Sequence, residues 1–177
     1  MADVLNPDHV LVRRYIAAPA HAVRVDTNPL AADLRMRLQA FDDAARTLVI
    51  RFEPAAHHLQ GNEVVQGGIV ATMLDFGLAF GVLAMLAPPK TAATVALNVQ
   101  FERAVMPGEL EVRATVDRLG GRLAFATATL SQAGGVKVLA RASATLSIAD
   151  GLRAEHPRQV ESRRSRNGGS ALIETSP

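Results

Sequence analysis

Residues Gln66–Ala87 read Q-G-G-I-V-A-T-M-L-D-F-G-L-A-F-G-V-L-A-M-L-A, and the reading of this stretch decides the fold. It is apolar around almost its whole circumference, with Gly67-Gly68 at its start and Pro88-Pro89 just past its end. A helix that is apolar on every side must be buried, in a protein core or in a bilayer. Asp75 sits in its middle, and a carboxylate there is costly unless it is paired or solvated. A membrane span is one reading: about nineteen apolar residues suffice by length, and Gly77-x-x-x-Gly81 matches a helix-packing motif. Alternating strand patterns on both sides and the lack of basic flanks argue for a core helix instead. The two glycines then serve close packing of a sheet or second helix.

Outward from the helix, the apolar period is two. On the N-terminal side, Met36, Leu38 and Ala40 alternate with Arg35, Arg37 and Gln39; after Asp42-Asp43, Leu48, Ile50 and Phe52 alternate with Val49 and Arg51. This is a hairpin signal. A polar loop, Pro54 to Gln66, joins it to the helix. On the C-terminal side four strands are expected. In the first, Val95, Leu97, Val99 and Phe101 alternate with Thr94, Ala96, Asn98 and Gln100. Leu110 to Val116 and Val136 to Ile148 alternate in the same way, and Leu123–Leu130 is Ala/Thr-rich. Pro107-Gly108, Gly120-Gly121 and Gly134-Gly135 supply turns. Two strands, one buried helix and four strands make an α+β layer, an antiparallel sheet with the helix on its concave face. Residues 1–33 read as an N-terminal extension, with a helix over Asp8 to Ala17 and an N-cap at Asn28 followed by Pro29. The main domain spans 34–150, and the Arg-rich segment 151–177 reads as a flexible tail outside the core.

Composition narrows the chemistry. A chain of 177 residues with 49% hydrophobic content has room for one real core. The absence of cysteine excludes disulfides, a thiol nucleophile and Cys-based zinc sites. The net charge is only +2, its surplus lies in the tail, and the tail has no aromatics to stack bases, so no nucleic-acid partner is expected. No basic region followed by an apolar run opens the chain, so a cytoplasmic location without a membrane is the expectation. His57-His58 could suggest a metal, but adjacent side chains rarely converge on one ion, and none is expected.

Free N–H groups at a helix start stabilise negative charge and polarise a carbonyl. A carboxylate two turns further on can attack or activate water. Gly68 and Asp75 are seven residues apart, roughly 10 Å along one helix, whereas a reacting carbonyl must lie about 3 Å from both. One helix does not do both; two antiparallel copies do. A dimer with Gly68 of one protomer and Asp75 of the other at each site is the expectation.

The segment V-V-Q-G-G-I-V-A-T-M-L-D resembles the hotdog-fold acyl-CoA thioesterases of the PaaI type, whose signature is His-Gly-Gly with an acidic residue nine positions after the histidine. L-N-V-Q-F-E-R-A-V-M-P-G and A-R-A-S-A-T-L are similar to the family's later strands, so the resemblance runs from Leu34 to Ile148. It implies a hotdog fold, hydrolysis of an acyl-CoA thioester, a homodimer or dimer of dimers, and no cofactor beyond the CoA of the substrate. Asp75 would be the nucleophile or general base. The Gly68 N–H, with Gly67, would bind the thioester oxygen, and Thr94 matches a Ser/Thr that positions water. Arg103 or Arg122 would lie near the nucleotide phosphates. Gln66 stands at the usual histidine, as in a variant of the family. Gln60 stands at a frequent asparagine, for which Asn62 is a nearby substitute, and Glu63 stands at a glycine. These departures keep a non-catalytic acyl-CoA-binding module open as an alternative, and a hotdog dehydratase, which expects a catalytic His, as a more distant one.

Overall fold

The computed structural model describes residues 6–19 and 21–150. The Arg-rich segment expected as a tail, from residue 151 onward, lies outside the described residues. Three α-helices, α1 (Pro7–Ala17), α2 (Pro29–Asp33) and α3 (Gly67–Met85), accompany seven strands. These are β1 (Val23–Arg24), β2 (Arg37–Asp42), β3 (Thr47–Phe52), β4 (Lys90–Phe101), β5 (Leu110–Leu119), β6 (Leu123–Gln132) and β7 (Val138–Asp150). They form one antiparallel sheet in the order β1-β2-β3-β5-β6-β7-β4. The long helix lies on the inner face of this sheet, which is the hotdog arrangement. The two-residue β1, too short to leave a periodic signal, adds a strand beyond the expected six.

Helices α2 and α3 start where expected, at Pro29 after the Asn28 cap and at Gly67 after Gln66. Asn28 Oδ1 accepts from the N–H of Leu30 at 3.0 Å and caps α2. The inner residues of β5 and β6, Leu110, Val112, Ala114, Val116, Ala124, Ala126, Ala128 and Leu130, are all buried. Many are small, so α3 can approach closely. Gly77 lies directly against Val112, and a Cβ at Gly81 would stand 3.6 Å from Ala114 Cβ. That is the packing role expected of the Gly77/Gly81 pair. By length and composition α3 could cross a membrane. Here the sheet and α1 enclose its C-terminal half: His9 Nε2 lies 3.0 Å from Leu86 O, and Arg13 Nη1 donates to Ala84 O.

Two details of the alternation are corrected. Val136, assigned to an inner strand face, lies before β7 in the Gly134-Gly135 turn region and is 96% exposed. In β4 the pairing with β7 shifts register between Thr94 and Ala96, leaving Val95 unpaired and 64% exposed. Thr94 pairs with the buried Leu146 and Leu97 with Ala144, so both lie on the inner face. Strict alternation would have set Thr94 and Leu97 on opposite faces. A bulge re-aims side chains by adding one residue to one strand, and here it turns Thr94 toward α3.

Candidate active site

The start of α3 is built by Gln66. Its carbonyl accepts the N–H groups of Ile69 (2.9 Å) and Val70 (3.1 Å), and its side-chain Oε1 also accepts from Ile69, at 3.1 Å. Gly68 makes this cap possible, since a Cβ there would fall 2.8 Å from Gln66 Oε1. The first N–H groups of a helix have no intrahelical acceptor, and among the described residues those of Gly67 and Gly68 have none. They are exposed at the positive end of the helix dipole, an arrangement that favours a developing oxyanion. Gln66 therefore acts on the helix itself in this chain, by capping it.

Asp75 is half-buried rather than sealed in apolar surroundings, which meets the need for a paired or solvated carboxylate. Gly68, Thr72, Asp75 and Ala79 recur at helical spacing along the side of α3 that the sheet leaves partly open. Thr94 Oγ1 donates to Asp75 Oδ1 at 2.8 Å, which leaves Oδ2 without a partner among the described residues. The β4 bulge makes this contact, which places Thr94, matched in the resemblance to a residue that positions water, directly on the Asp75 carboxylate. Between Asp75 and the helix start, Thr72 Oγ1 donates back to Gly68 O at 2.9 Å. Thr72 was not singled out in the sequence; its helical spacing from Gly68 is the only signal that points to it.

A cleft of about 400 Å³ opens beside the helix start, lined among others by Gln60, Val70, Gly67, Phe101 and Arg103. Three expected substrate-side residues, Gln60, Gly67 and Arg103, thus meet in one place. Asn62 is exposed in the adjoining turn and does not line the cleft. Arg122 lies at the other end of the sheet, where its carbonyl accepts from Ile148 at 2.8 Å. Arg103 is ion-paired with Glu102 at 3.1 Å and also donates to Val138 O. Within one chain, Arg103 and Arg122 do not form a single phosphate site.

The loop before α3 holds a cluster that the sequence reading missed. His57 and His58 both turn their Nε2 atoms to Asp33, His57 at 3.1 Å and His58 at 2.8 Å from Oδ2. Adjacent histidines do converge here, on a carboxylate at the end of α2 that lies 24 residues before His57, a separation with no local sequence signal. The hydrogen bond from His57, then that from His58, holds the Asp33 carboxyl below the usual carboxylate range. His58 Nδ1 accepts the N–H of Ala55 at 2.9 Å. The ring proton of neutral His58 is therefore on Nε2, facing Asp33. The three groups have the donor atoms for a cation, but a cation on His58 Nε2 would have to displace that proton.

Comparison with known proteins relates the sequence and the fold to thioesterases. Residues 62–139 match the thioesterase superfamily. The chain is 35% identical over 102 residues, 57% of its own length and 75% of the other's, to a Pseudomonas aeruginosa protein named "Putative esterase PA0474". It superposes with a TM-score of 0.67 on a phenylacetic acid degradation-related protein of Ralstonia eutropha JMP134, at 29% identity over 77% of this chain and 98% of that one. A Bacillus halodurans protein solved with CoA shares the fold, with a TM-score of 0.54 and 21% identity over 57% of this chain and 66% of that one.

Proposed function

This chain belongs to the thioesterase superfamily, and we propose that it hydrolyses an acyl-CoA thioester to the free acid and CoA at a site completed by a second copy of the chain. Thioester hydrolysis is the family-level activity; the acyl-CoA substrate, the role of Asp75 and the shared site are the proposal. The observation that carries it is a half-buried carboxylate with one oxygen held by Thr94 and the other, among the described residues, free, on the same open face of α3 as the N–H groups of Gly67 and Gly68, which have no acceptor among those residues.

The chemistry follows from that pairing. Asp75 Oδ2 attacks the thioester carbon or takes a proton from water as it attacks. In the second route the water oxygen bonds to the carbonyl carbon, and the charge moves to the carbonyl oxygen, where the Gly68 and Gly67 N–H groups receive it. The intermediate collapses, the C–S bond breaks, and the sulfur takes the proton from Asp75. A thiolate leaves readily, so the step requires no metal or redox cofactor. Seven residues at the helical rise separate Gly68 from Asp75 by roughly 10 Å, too far to serve one carbonyl. A second helix, antiparallel to the first, brings Asp75 of one copy to Gly68 of the other. β4 is an edge strand of 12 residues with exposed apolar side chains, including Val95 and Phe101, which suits a partner of the same chain. The cleft at Gln60, Gly67 and Arg103 is the proposed entry for the substrate arm, and the fold shared with a protein solved with CoA motivates CoA thioesters as the probe.

One observation favours a second reading, a binding module without turnover: the Gln66 amide oxygen is engaged with Ile69. Asp75→Asn decides between the two. Under the proposal it lowers kcat for CoA release by about 10²–10⁴ while the circular dichroism spectrum and acyl-CoA binding persist. Unchanged turnover refutes the role of Asp75, and binding without thiol release in the native protein establishes the second reading.

A further inference from the structure

The Asp33–His58 cluster is joined to the helix start by an unbroken run of hydrogen bonds. Asp33 Oδ2 accepts from His58 Nε2 at 2.8 Å, and His58 Nδ1 accepts from Ala55 N–H at 2.9 Å. The His58 backbone N–H donates to Ala55 O at 3.0 Å, closing the single 3-10 turn Ala56–His58. The His58 carbonyl then accepts the N–H of Gln66 at 3.0 Å. Gln66 caps α3 and directly precedes Gly67 and Gly68. His58 is only 4% exposed, so its ring is fixed on all sides, and both ring nitrogens are used. A buried polar side chain that satisfies every partner specifies one local conformation, because any other leaves a group unpaired. The conformation specified here is that of residues 55–66, which set where the first two N–H groups of α3 point.

We propose that Asp33 and His58 are positioning residues of the hydrolytic site: they hold the loop so that Gln66 presents the Gly67 and Gly68 N–H groups at a fixed place. This rests on the reading that the Gly68 N–H receives the thioester oxygen. Neither residue touches substrate. The pair works with an ionised carboxylate and a neutral ring, since a proton on Nδ1 would set two donors, the ring and Ala55 N–H, against each other. His57 shares Asp33 but is exposed, and its backbone carries no link to Gln66. It therefore serves as the control.

The test compares the native enzyme with Asp33→Ala, Asp33→Asn, His58→Ala and His57→Ala. The readouts are kcat and KM for acyl-CoA hydrolysis and, without substrate, amide hydrogen exchange over residues 66–70. Displaced oxyanion donors cost rate more than binding, so Asp33→Ala and His58→Ala lower kcat by about 10- to 100-fold with KM within about threefold. Asn keeps an acceptor for His58 Nε2–H, so Asp33→Asn restores kcat to within about threefold of native. His57→Ala stays within about twofold. Exchange over 66–70 accelerates in Asp33→Ala and not in His57→Ala. If His58→Ala does not fold, the Asp33 pair alone decides. Unchanged exchange in folded Asp33→Ala overturns the mechanical link. Accelerated exchange with unchanged kcat also overturns the proposal, but traces the fault to the role given to the Gly68 N–H.

Discussion

Glu63 has φ 60, in the left-handed region, within the turn closed by its N–H on Gln60 O at 2.8 Å. A side chain there costs about 1–2 kcal/mol, against about 0.5–1 kcal/mol of extra chain entropy lost by glycine. Glu63→Gly therefore stabilises the fold by about 0.5–1 kcal/mol, read as a higher urea midpoint at constant m-value. The resemblance marked this position as one where glycine is usual, and the backbone supplies the reason. Asp33 makes a second prediction at this scale. Its carboxyl is held below the ordinary range in the fold, so the ionised form stabilises the native state. That contribution is present above the unfolded value near pH 4 and is lost as pH falls through the lower folded value. The melting-temperature difference between the native protein and Asp33→Asn shrinks as pH drops below about 4. Of the residues proposed for the site, Asp75 and Gly68 stand out in the sequence because a charge within an apolar helix and a Gly-Gly at its start are local features, whereas Thr94 came only from the family resemblance. Asp33 does not stand out, because its partners lie 24 and 25 residues away and only folding joins them.

Helix α3 and strand β4 set the geometry at the next scale. The helix was legible because its apolar run is bounded by Gly67-Gly68 and Pro88-Pro89. The strands were legible because period-two alternation survives in β5 and β6. What alternation does not reveal is phase: the one-residue bulge at Val95 swaps the faces of β4 partway along, and with it the placement of Thr94. The two internal helix glycines give a paired prediction. A methyl at Gly77 collides with Val112, so Gly77→Ala loses about 1–2 kcal/mol, overpacking outweighing the gain in helix propensity. At Gly81 the nearest atoms lie at ordinary contact distance, so Gly81→Ala gains up to about 1 kcal/mol. Thermal melts of the two variants separate the effects, and equal shifts would contradict the close approach of α3 to β5.

At the scale of the whole molecule, one chain holds every part of the proposed chemistry but not in one place. The helix start and the carboxylate share a face and are set apart by two turns. Among the described residues the long edge of β4 beside that face is unpaired, and its exposed apolar side chains are what a second copy would cover. In the proposed dimer, an isologous pair would relate the two helices by a two-fold axis and give two equivalent sites, each drawing on both chains. Composition does not point to such a pair, since a dimer interface and a core strand share the same alternating pattern; the helical distance between Gly68 and Asp75 is what motivates the proposal.

The central claim is tested most directly by measuring CoA thiol release in a mixture of two inactive variants. Asp75→Asn lacks the carboxylate, and Gly68→Pro lacks the N–H donor; its ring lies in the first helical turn, where no intrahelical hydrogen bond is lost, and displaces the Gln66 amide side chain. Each alone is inactive. After subunit exchange in an equal mixture, each mixed dimer regains one native site, and activity returns to about a quarter of that of the native protein. Mixed dimers that form and release no thiol would contradict the shared site.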